Sequence, residues 1–312
     1  SGFLMSLGLD PLPNSVQAKL GGAEFEEISR LQRFLETFLV NVGGGGASQK
    51  EGGQALLGLV IAVLMVRSLA PSLKGDRMQL LVLVVAGAGL GHLFLGQIGW
   101  MERYEHYALA ALSVAVLALA ASAKENRALA LGIAVLPLAW SGLNYTQKSL
   151  FSYPWNARAI HFQQAQMARY AQDYAGVNVA VNDLGRVVWG NPNYVLDLWG
   201  LANHEARRIR LFEPTPGWAG PLVSEEDVRL IMIYDKWLGA EAVETGGADA
   251  RSPDWVKLGS FQMRNARGFL GAGEVDVYAA SEADVTHLVE AMRRFQPTMP
   301  EDTRFYFEER FQ

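Results

Sequence analysis

Charged side chains cluster between residues 99 and 107, in an otherwise apolar part of the chain. Glu102, Arg103, Tyr104, Glu105 and His106 follow one another there. A planar guanidinium binds phosphate through paired hydrogen bonds, and a nearby carboxylate can orient it or accept a proton from a hydroxyl. The segment predicts either a phosphate-binding loop or a charged interhelical turn with local ion pairs.

Two smaller groups of polar residues offer weaker signals. The segment Asp10–Ser15, with Lys19 after it, places the amide of Asn14 near a cation beside two rigid prolines. It fits a phosphate or sugar contact and a plain connecting loop equally well. His92 is the ionisable residue of an apolar stretch, where such groups are either functional or hydrogen-bonded between helices.

Three polar residues follow predicted strands in the second half of the chain. Asn182 and Asp183 come after the predicted strand Val177–Val181, and Asp197 lies near the end of Tyr194–Leu198. Open α/β sheets place ligands at the carboxyl ends of their strands, so these side chains are candidates for binding sugar hydroxyls. Asp183 is equally suited to cap a helix beginning near Leu184.

Common catalytic signatures are missing from the sequence. It has no phosphate-cradling glycine loop, dinucleotide fingerprint, HExxH or GxSxG motif. Its five histidines are scattered, so no metal site is predicted, and zero cysteines exclude disulfides and thiolate catalysis. The net charge of -5 arises after residue 145, which gives no basic face for nucleic acid.

The chain is 50% hydrophobic and 19% charged, and its apolar residues concentrate in four stretches. Four such stretches predict a multi-pass region of four transmembrane helices, followed by a small extracytoplasmic α/β domain. The predicted division is 1–53, an outer loop and interfacial helix; 54–145, the membrane helices; and 146–312, the α/β domain. The stretches are Gln54–Ala70, Gln79–Met101, Tyr107–Ala123 and Ala128–Asn144.

Basic residues orient these predicted helices. Lys74 and Arg77 follow the first stretch, with Arg67 just inside its end, and Lys124 and Arg127 follow the third. These basic residues predict that both connections are cytoplasmic. The loop around Arg103 and everything after Asn144 then lie outside. Before the first stretch, Glu26–Val42 has the apolar periodicity of an amphipathic helix on a membrane surface, followed by a flexible glycine run at Gly43–Gly46.

Alternating strand and helix signals fill the last half of the chain. The strand predictions are Val177–Val181, Tyr194–Leu198, Leu230–Tyr234 and Val275–Ala279. Helices are predicted over Asn156–Tyr174 and Glu282–Phe295. This alternation is typical of an α/β domain.

The motifs together resemble a known family. Segments Pro11–Lys19, Gly99–Glu105, Val179–Gly185 and Val195–Leu201 resemble, in this order, the C-terminal half of bacterial GT-C-type integral membrane glycosyltransferases. The closest likeness is to the mannosyl- and arabinosyltransferase-like proteins that use polyprenyl-phosphate sugars.

The resemblance implies sugar transfer from a polyprenyl-phosphate donor to an envelope glycan, lipid or protein, at the outer side of the bacterial inner membrane. It carries over Asn14, Lys19, Arg103, Tyr104 and Glu105 as donor-side residues, with membrane lipid as a partner and no cofactor assigned. In such enzymes the catalytic base is an acidic residue in the first outer loop, and this sequence has no such loop. A C-terminal fragment lacking its catalytic residue is therefore expected, and the alternative is a non-catalytic, membrane-anchored glycan-binding or assembly protein.

Overall fold

The computed structural model describes most of the 312 residues. The chain divides into two compact units, one within Glu26–Ser152 and the other including Tyr153–Gln312. A short helix α1, Gly2–Ser6, precedes them. The described residues are 2–6, 14, 30–44, 50–69, 77–99, 103–244, 247–264, 268 and 270–312.

The first unit is built from helices. They are α2 (Arg30–Gly43), α3 (Lys50–Ser68), α4 (Arg77–Leu95), α5 (His106–Ser122) and the first part of α6 (Arg127–Phe162). Helix α3 is the centre of the unit, because it packs against α2, α4 and α5. Its buried residues include Leu56, Leu59, Val60, Val63 and Val66.

Glycines allow these helices to approach closely. A Cβ atom on Gly53 of α3 would lie 1.8 Å from the backbone oxygen of Asn41 on α2. A Cβ on Gly89 of α4 would lie 2.9 Å from Leu112 Cδ1 and 3.0 Å from Val60 Cγ2. The Asn41 amide donates to the carbonyls of Leu93 and Gly96, so α2 is also tied to the end of α4.

The prediction of four transmembrane helices is wrong. Within the described residues, two helices are long and apolar enough to cross a membrane: Lys50–Ser68, and Arg127–Ala175, a bent helix of 49 residues. The other apolar helices, Leu80–Leu95 and His106–Ser122, are shorter. At 1.5 Å per residue, a helix of 17 residues reaches about 25 Å, less than the roughly 30 Å of a hydrocarbon core.

The predicted second stretch also stops early. Helix α4 ends at Leu95, and residues 96–99 are not helical. The predicted fourth stretch, Ala128–Asn144, forms the N-terminal part of α6, whose last residues belong to the second unit. The structure thus consists of a helical unit, which is not a four-span membrane region, and a second unit with a mixed sheet.

Helix α2 carries the predicted amphipathic pattern over its described length. Phe38 packs against the core of the helical unit and stacks on Phe94, with ring centroids 4.8 Å apart. Leu31, Leu35 and Leu39 are 68%, 49% and 65% exposed. Because these leucines recur every four residues, they form one apolar stripe on the surface of α2. Residues 26–29, 45 and 46, like Lys74, lie outside the described residues.

The second unit contains a six-stranded mixed sheet with the order β2-β1-β3-β5-β4-β6. Strand β1 is parallel to β2 and β3, whereas β3–β5, β5–β4 and β4–β6 are antiparallel. The strands are β1 (Val179–Val181), β2 (Val195–Asp197), β3 (Leu230–Ile233), β4 (Val256–Met263), β5 (Glu274–Ala279) and β6 (Thr303–Phe307).

Helices connect the strands and cover both faces of the sheet. Before β1 come α7 (Gln164–Arg169) and the π-helix Tyr170–Ala175. The remaining helices are α8 (Gly185–Val188), α9 (His204–Phe212), α10 (Ala219–Glu225), α11 (Asp235–Leu238), α12 (Ala240–Glu244) and α13 (Glu282–Phe295). Short 3₁₀ turns lie at Gln296–Thr298 and Glu309–Phe311.

Alternation along the strands supplies two hydrophobic cores. Val179, Val181 and Met232 pack under the π-helix and α13. Ala180, Ile231 and Ile233 point to the opposite face, where α9 and α10 contribute Ala206, Ala219 and Leu222. The side-chain period of two in a strand divides the residues in this way.

The four predicted strands and helix Glu282–Phe295 are confirmed, with strand ends shifted by one or two residues. The predicted helix Asn156–Tyr174 corresponds to the end of α6, α7 and most of the π-helix. Strands β4 and β6 were not predicted.

Candidate functional site

Glu105 anchors the charged loop of the helical unit. Its side chain is fully buried. One carboxylate oxygen accepts a hydrogen bond from Gly99 N at 2.9 Å, and the other accepts one from Tyr145 Oη at 2.7 Å. Gly52 leaves room for this carboxylate, because a Cβ there would lie 2.3 Å from Glu105 Oε1. Glu105 therefore holds the loop in place from within.

Arg103 lies on the exposed side of the same loop. Its side chain is exposed, and its guanidinium carbon is 6.0 Å from the centroid of the Tyr104 ring. Burial raises the pKa of Tyr104, and the charge of Arg103 partly opposes this rise. Residues 100–102, including Glu102, lie outside the described residues. The geometry presents a guanidinium to solvent from a loop with a buried anchor.

His92 makes hydrogen bonds through both ring nitrogens. Nε2 lies 2.9 Å from the carbonyl of Gln97, and Nδ1 lies 2.8 Å from Tyr107 Oη. Because a carbonyl only accepts, Nε2 carries a proton, and a neutral ring then accepts from Tyr107 at Nδ1. Of the two roles considered for His92, this arrangement matches the interhelical hydrogen bond.

The N-terminal pair predicted to contact a donor is only partly described. Asn14 is half-buried. Lys19 lies outside the described residues. Of the predicted donor-side residues, Arg103, Tyr104 and Glu105 are the ones that the structure describes next to one another in a single segment.

The carboxyl edge of the parallel strands carries the other three predicted residues. The chain leaves β1 for β2 on one side and later returns as β3 on the other. In open sheets, such a reversal opens a crevice at the carboxyl ends of the diverging strands. Asn182, which follows β1, is 2% exposed and accepts a hydrogen bond from Tyr234 N, just after β3, at 2.9 Å.

Asp183 belongs to a polar group on the same edge. Its carboxylate accepts hydrogen bonds from Gln164 Nε2 and from Tyr234 Oη, the latter at 3.1 Å. The Tyr234 hydroxyl also lies 2.9 Å from Gln163 Oε1. Burial and the charge of Asp183 raise the pKa of Tyr234, so this phenol stays protonated at neutral pH. Helix α8 begins at Gly185, with Leu184 as its N-cap residue.

Asp197 shapes the loop that follows β2. Oδ1 accepts from the backbone N–H groups of Trp199 and Gly200 at 2.9 and 3.1 Å, and Oδ2 accepts from Ala202 N at 2.7 Å. Gly200 has a φ of +84°, which favours glycine. The Asp197 carboxylate, which the sequence predicted to bind sugar hydroxyls, thus accepts hydrogen bonds from three backbone N–H groups.

A network of charged side chains includes Asp235, the second residue after β3. Arg251 pairs with Asp249 at 2.6 Å and with Asp235 at 3.2 Å, and it donates to Tyr278 Oη at 3.2 Å. Asp276 pairs with Lys257 at 2.8 Å. Burial raises the pKa of Asp276, and Lys257 opposes this rise. These groups satisfy one another, as structural ion-pair networks do. In the described part of the chain, no three His, Asp or Glu residues form a candidate metal site.

Tyr234, Gln163, Gln164 and Arg210 are site residues that sequence reasoning missed. Tyr234 carried a signal, because it ends a predicted strand as Asp197 does. The two glutamines precede β1 within the helical segment, and Arg210 is one of several basic residues on α9. Only the folded sheet brings them to its carboxyl edge.

Comparisons with known proteins match the sheet-bearing unit in part. Residues 156–279 match a family model described as Domain of unknown function (DUF8728). The matched region is less than half of the chain and contains Asn182, Asp183, Asp197 and Tyr234. No curated protein and no solved structure matches the chain.

Proposed function

We propose that the protein takes part in transferring a sugar from a polyprenyl-phosphate donor to an envelope glycan, lipid or protein at a membrane surface, with Arg103 contacting the donor phosphate. The observation that carries this proposal is the loop in which Glu105 is buried and Arg103 is exposed. An exposed guanidinium binds a phosphate through paired, charge-assisted hydrogen bonds. The sequence resemblance of Gly99–Glu105 supports the same role.

Membrane association is supported by the exposed apolar side chains of the helical unit. Leucines 31, 35 and 39 of α2 form a stripe on its surface. Further exposed side chains lie on α4 and α6, among them Leu80, Leu81, Val84, Leu136 and Leu143. An amphipathic helix with an outward apolar face binds at a lipid interface, and large exposed apolar patches mark interaction surfaces.

The placement of Glu105 favours a second candidate function. Both of its carboxylate oxygens accept hydrogen bonds and the side chain is fully buried, so Glu105 is poorly placed to take a proton from an acceptor hydroxyl. A protein that holds a lipid-linked sugar without transferring it needs the Arg103 contact alone. This is the non-catalytic glycan-binding or assembly protein.

The test compares Arg103→Ala with Arg127→Ala in the full chain, reconstituted in nanodiscs. Both arginines are exposed and lie near opposite ends of α5. Losing a charge-assisted phosphate contact lowers affinity for polyprenyl phosphate by about tenfold to a hundredfold. Arg127→Ala keeps the affinity of the unchanged protein. Equal binding by both variants refutes the phosphate role of Arg103.

Turnover of a polyprenyl-phosphate sugar, measured on the same samples, separates the two candidates. Transfer that is lost in Arg103→Ala supports the transferase. Binding without transfer in the unchanged protein supports the glycan-binding role.

A further inference from the structure

Two of the buried side-chain donors in the sheet-bearing unit that have no hydrogen-bond partner among the described residues lie at the carboxyl edge of the sheet. They are Asn182 Nδ2 and Arg210 Nη2. The Asn182 amide orientation is fixed, because its oxygen accepts from Tyr234 N. A buried donor left without an acceptor is costly, and native structures keep few of them.

Both donors belong to the carboxyl edge of β1 and β2. Val181 and Asp197 are paired residues of these strands, and Leu198 N donates to Val181 O at 2.9 Å. Asn182 follows Val181 directly. Arg210 is held by Trp199, two residues after Asp197, because its Nε donates to the Trp199 carbonyl at 3.0 Å. One sheet edge therefore carries both donors.

Arg210 as a whole is half-buried, but its Nη2 atom is buried, and the guanidinium has no ion-pair partner in the part of the chain that the structure describes. Its carbon lies 3.8 Å from the centroid of the Trp199 ring. Burial lowers the pKa of Arg210 to about 10, and the charge of Asp197 opposes this shift. The group remains a cation at neutral pH. The oxygens of Asp197 are engaged by backbone N–H groups.

The arginines of α9 lie on two faces of the helix. Arg208 is partly exposed and pairs with Glu205 at 2.7 Å and Glu213 at 2.9 Å. Arg207 and Arg210, three residues apart, share another face. Arg207 is 2% exposed, and its Nη2 lies 2.9 Å from His204 Nδ1. Unlike Arg208, Arg210 lies near the Asp197 carboxylate, whose oxygens already accept hydrogen bonds from backbone N–H groups.

We propose that this edge binds the oxyanion of a small ligand, a phosphate or a carboxylate, with Arg210 Nη2 and Asn182 Nδ2 as the donors. Both atoms only donate, so the ligand must supply acceptor oxygens. Negative charge on the ligand stabilises the partly buried guanidinium. The crevice at the strand reversal is where open α/β sheets hold ligands. This site is separate from Arg103 and does not depend on the proposed donor contact.

The experiment is calorimetric titration of the full chain in detergent micelles with four probes: inorganic phosphate, glucose 1-phosphate, glucuronate and glucose. At least one oxyanion binds, and neutral glucose does not. Preference between glucose 1-phosphate and glucuronate identifies the oxyanion. Arg103→Ala retains this binding, which separates the site from the proposed function.

Three variants test the assigned donors. Asn182→Asp keeps the acceptor for Tyr234 N and removes the donor, and Arg210→Met keeps an apolar stem on Trp199. Each weakens oxyanion binding by about tenfold or more. Arg208→Met, on the same helix, leaves the affinity within about twofold, because an exposed ion pair contributes little.

Thermal unfolding without ligand distinguishes binding from a structural role. Removing an uncompensated buried cation leaves the Tm of Arg210→Met unchanged or higher. The proposal is overturned if no oxyanion binds the unchanged protein, if glucose binds as tightly as the oxyanions, or if both variants bind normally. It is also overturned if Arg210→Met lowers the Tm while binding is retained.

Discussion

At the scale of single residues, Glu105 shows how an apolar helical unit accommodates an acid. A carboxylate without partners in such surroundings is strongly destabilising. Glu105 instead receives hydrogen bonds from Gly99 N and Tyr145 Oη. These donors would lose their acceptor if the side chain were apolar, so the acid and its partners stabilise the loop as a group.

Glu105→Leu is expected to lower the free energy of unfolding by about 2–4 kcal/mol, because two donors lose their partner. Glu105→Gln should cost only about 1–2 kcal/mol, since its oxygen still accepts from Gly99 N and Tyr145 can accept from its amide. Denaturant titration in micelles gives both values. Equal losses for the two variants would mean that the charge, rather than hydrogen bonding, matters.

Residue types alone predicted part of the site. Asn182, Asp183 and Asp197 were found because strand ends are visible as apolar runs followed by polar residues. Tyr234 lies 52 residues from Asn182, and no local pattern connects them. Likewise, the sequence located Arg103 and Glu105 but not which one is exposed, because that depends on Tyr145 and Gly52 from distant helices.

At the scale of elements, helix length explains why the prediction of four membrane helices failed, because the apolar helices Leu80–Leu95 and His106–Ser122 are too short to cross a bilayer. Apolar composition is the same for a helix that contacts lipid and one that contacts other helices. In α3, the residues facing α2, α4 and α5 are buried in protein. The paired glycines Gly52 and Gly53 allow the backbone of α3 to approach its neighbours closely.

Gly53→Ala is therefore expected to destabilise the helical unit by about 1–3 kcal/mol or more, because the new methyl group meets the Asn41 carbonyl. Gly87→Ala is the matched control on α4, where a Cβ meets nothing within 4 Å. The control should gain about 0.5–1 kcal/mol from better helix propensity. Thermal melts followed by circular dichroism measure both. A Gly53→Ala melt at or above that of Gly87→Ala would contradict the close approach.

The strands that the sequence predicted are the most apolar ones. Strand β3 has all four residues buried, so it forms a continuous apolar run. Strand β4 was missed because Gly259, with a φ of +152° and no space for a Cβ beside Tyr306 O, accompanies a shift in register within it. Strand β6 alternates buried and exposed residues over only five positions, a length at which the period of two is a weak signal.

At the scale of the whole molecule, the two units carry different surfaces. The acidic excess lies after residue 145. Exposed leucines and valines are frequent on α2, α4 and α6. A surface rich in exposed aliphatic side chains binds lipid or another apolar partner.

Lipid binding through α2 is measurable by flotation with phosphatidylcholine liposomes. Leu35→Glu removes an apolar contact worth about 1.5–3 kcal/mol and should lower partitioning by about tenfold or more. Gln32→Glu adds the same charge at another exposed position of α2 and should leave partitioning nearly unchanged. Equal losses in both variants would indicate a charge effect, and no loss in either would exclude the stripe as the lipid contact.

The place where the matched region stops affects how this protein can be divided for expression. Residue 279 is the last of β5, yet Leu288, Met292, Phe295 and Phe305 complete the core under that sheet. A fragment of residues 156–279 would expose the buried faces of β3 and β5 and lack edge strand β6, conditions that promote aggregation. We expect that fragment to precipitate and residues 153–312 to remain monomeric in gel filtration, because the longer fragment keeps α13 and β6.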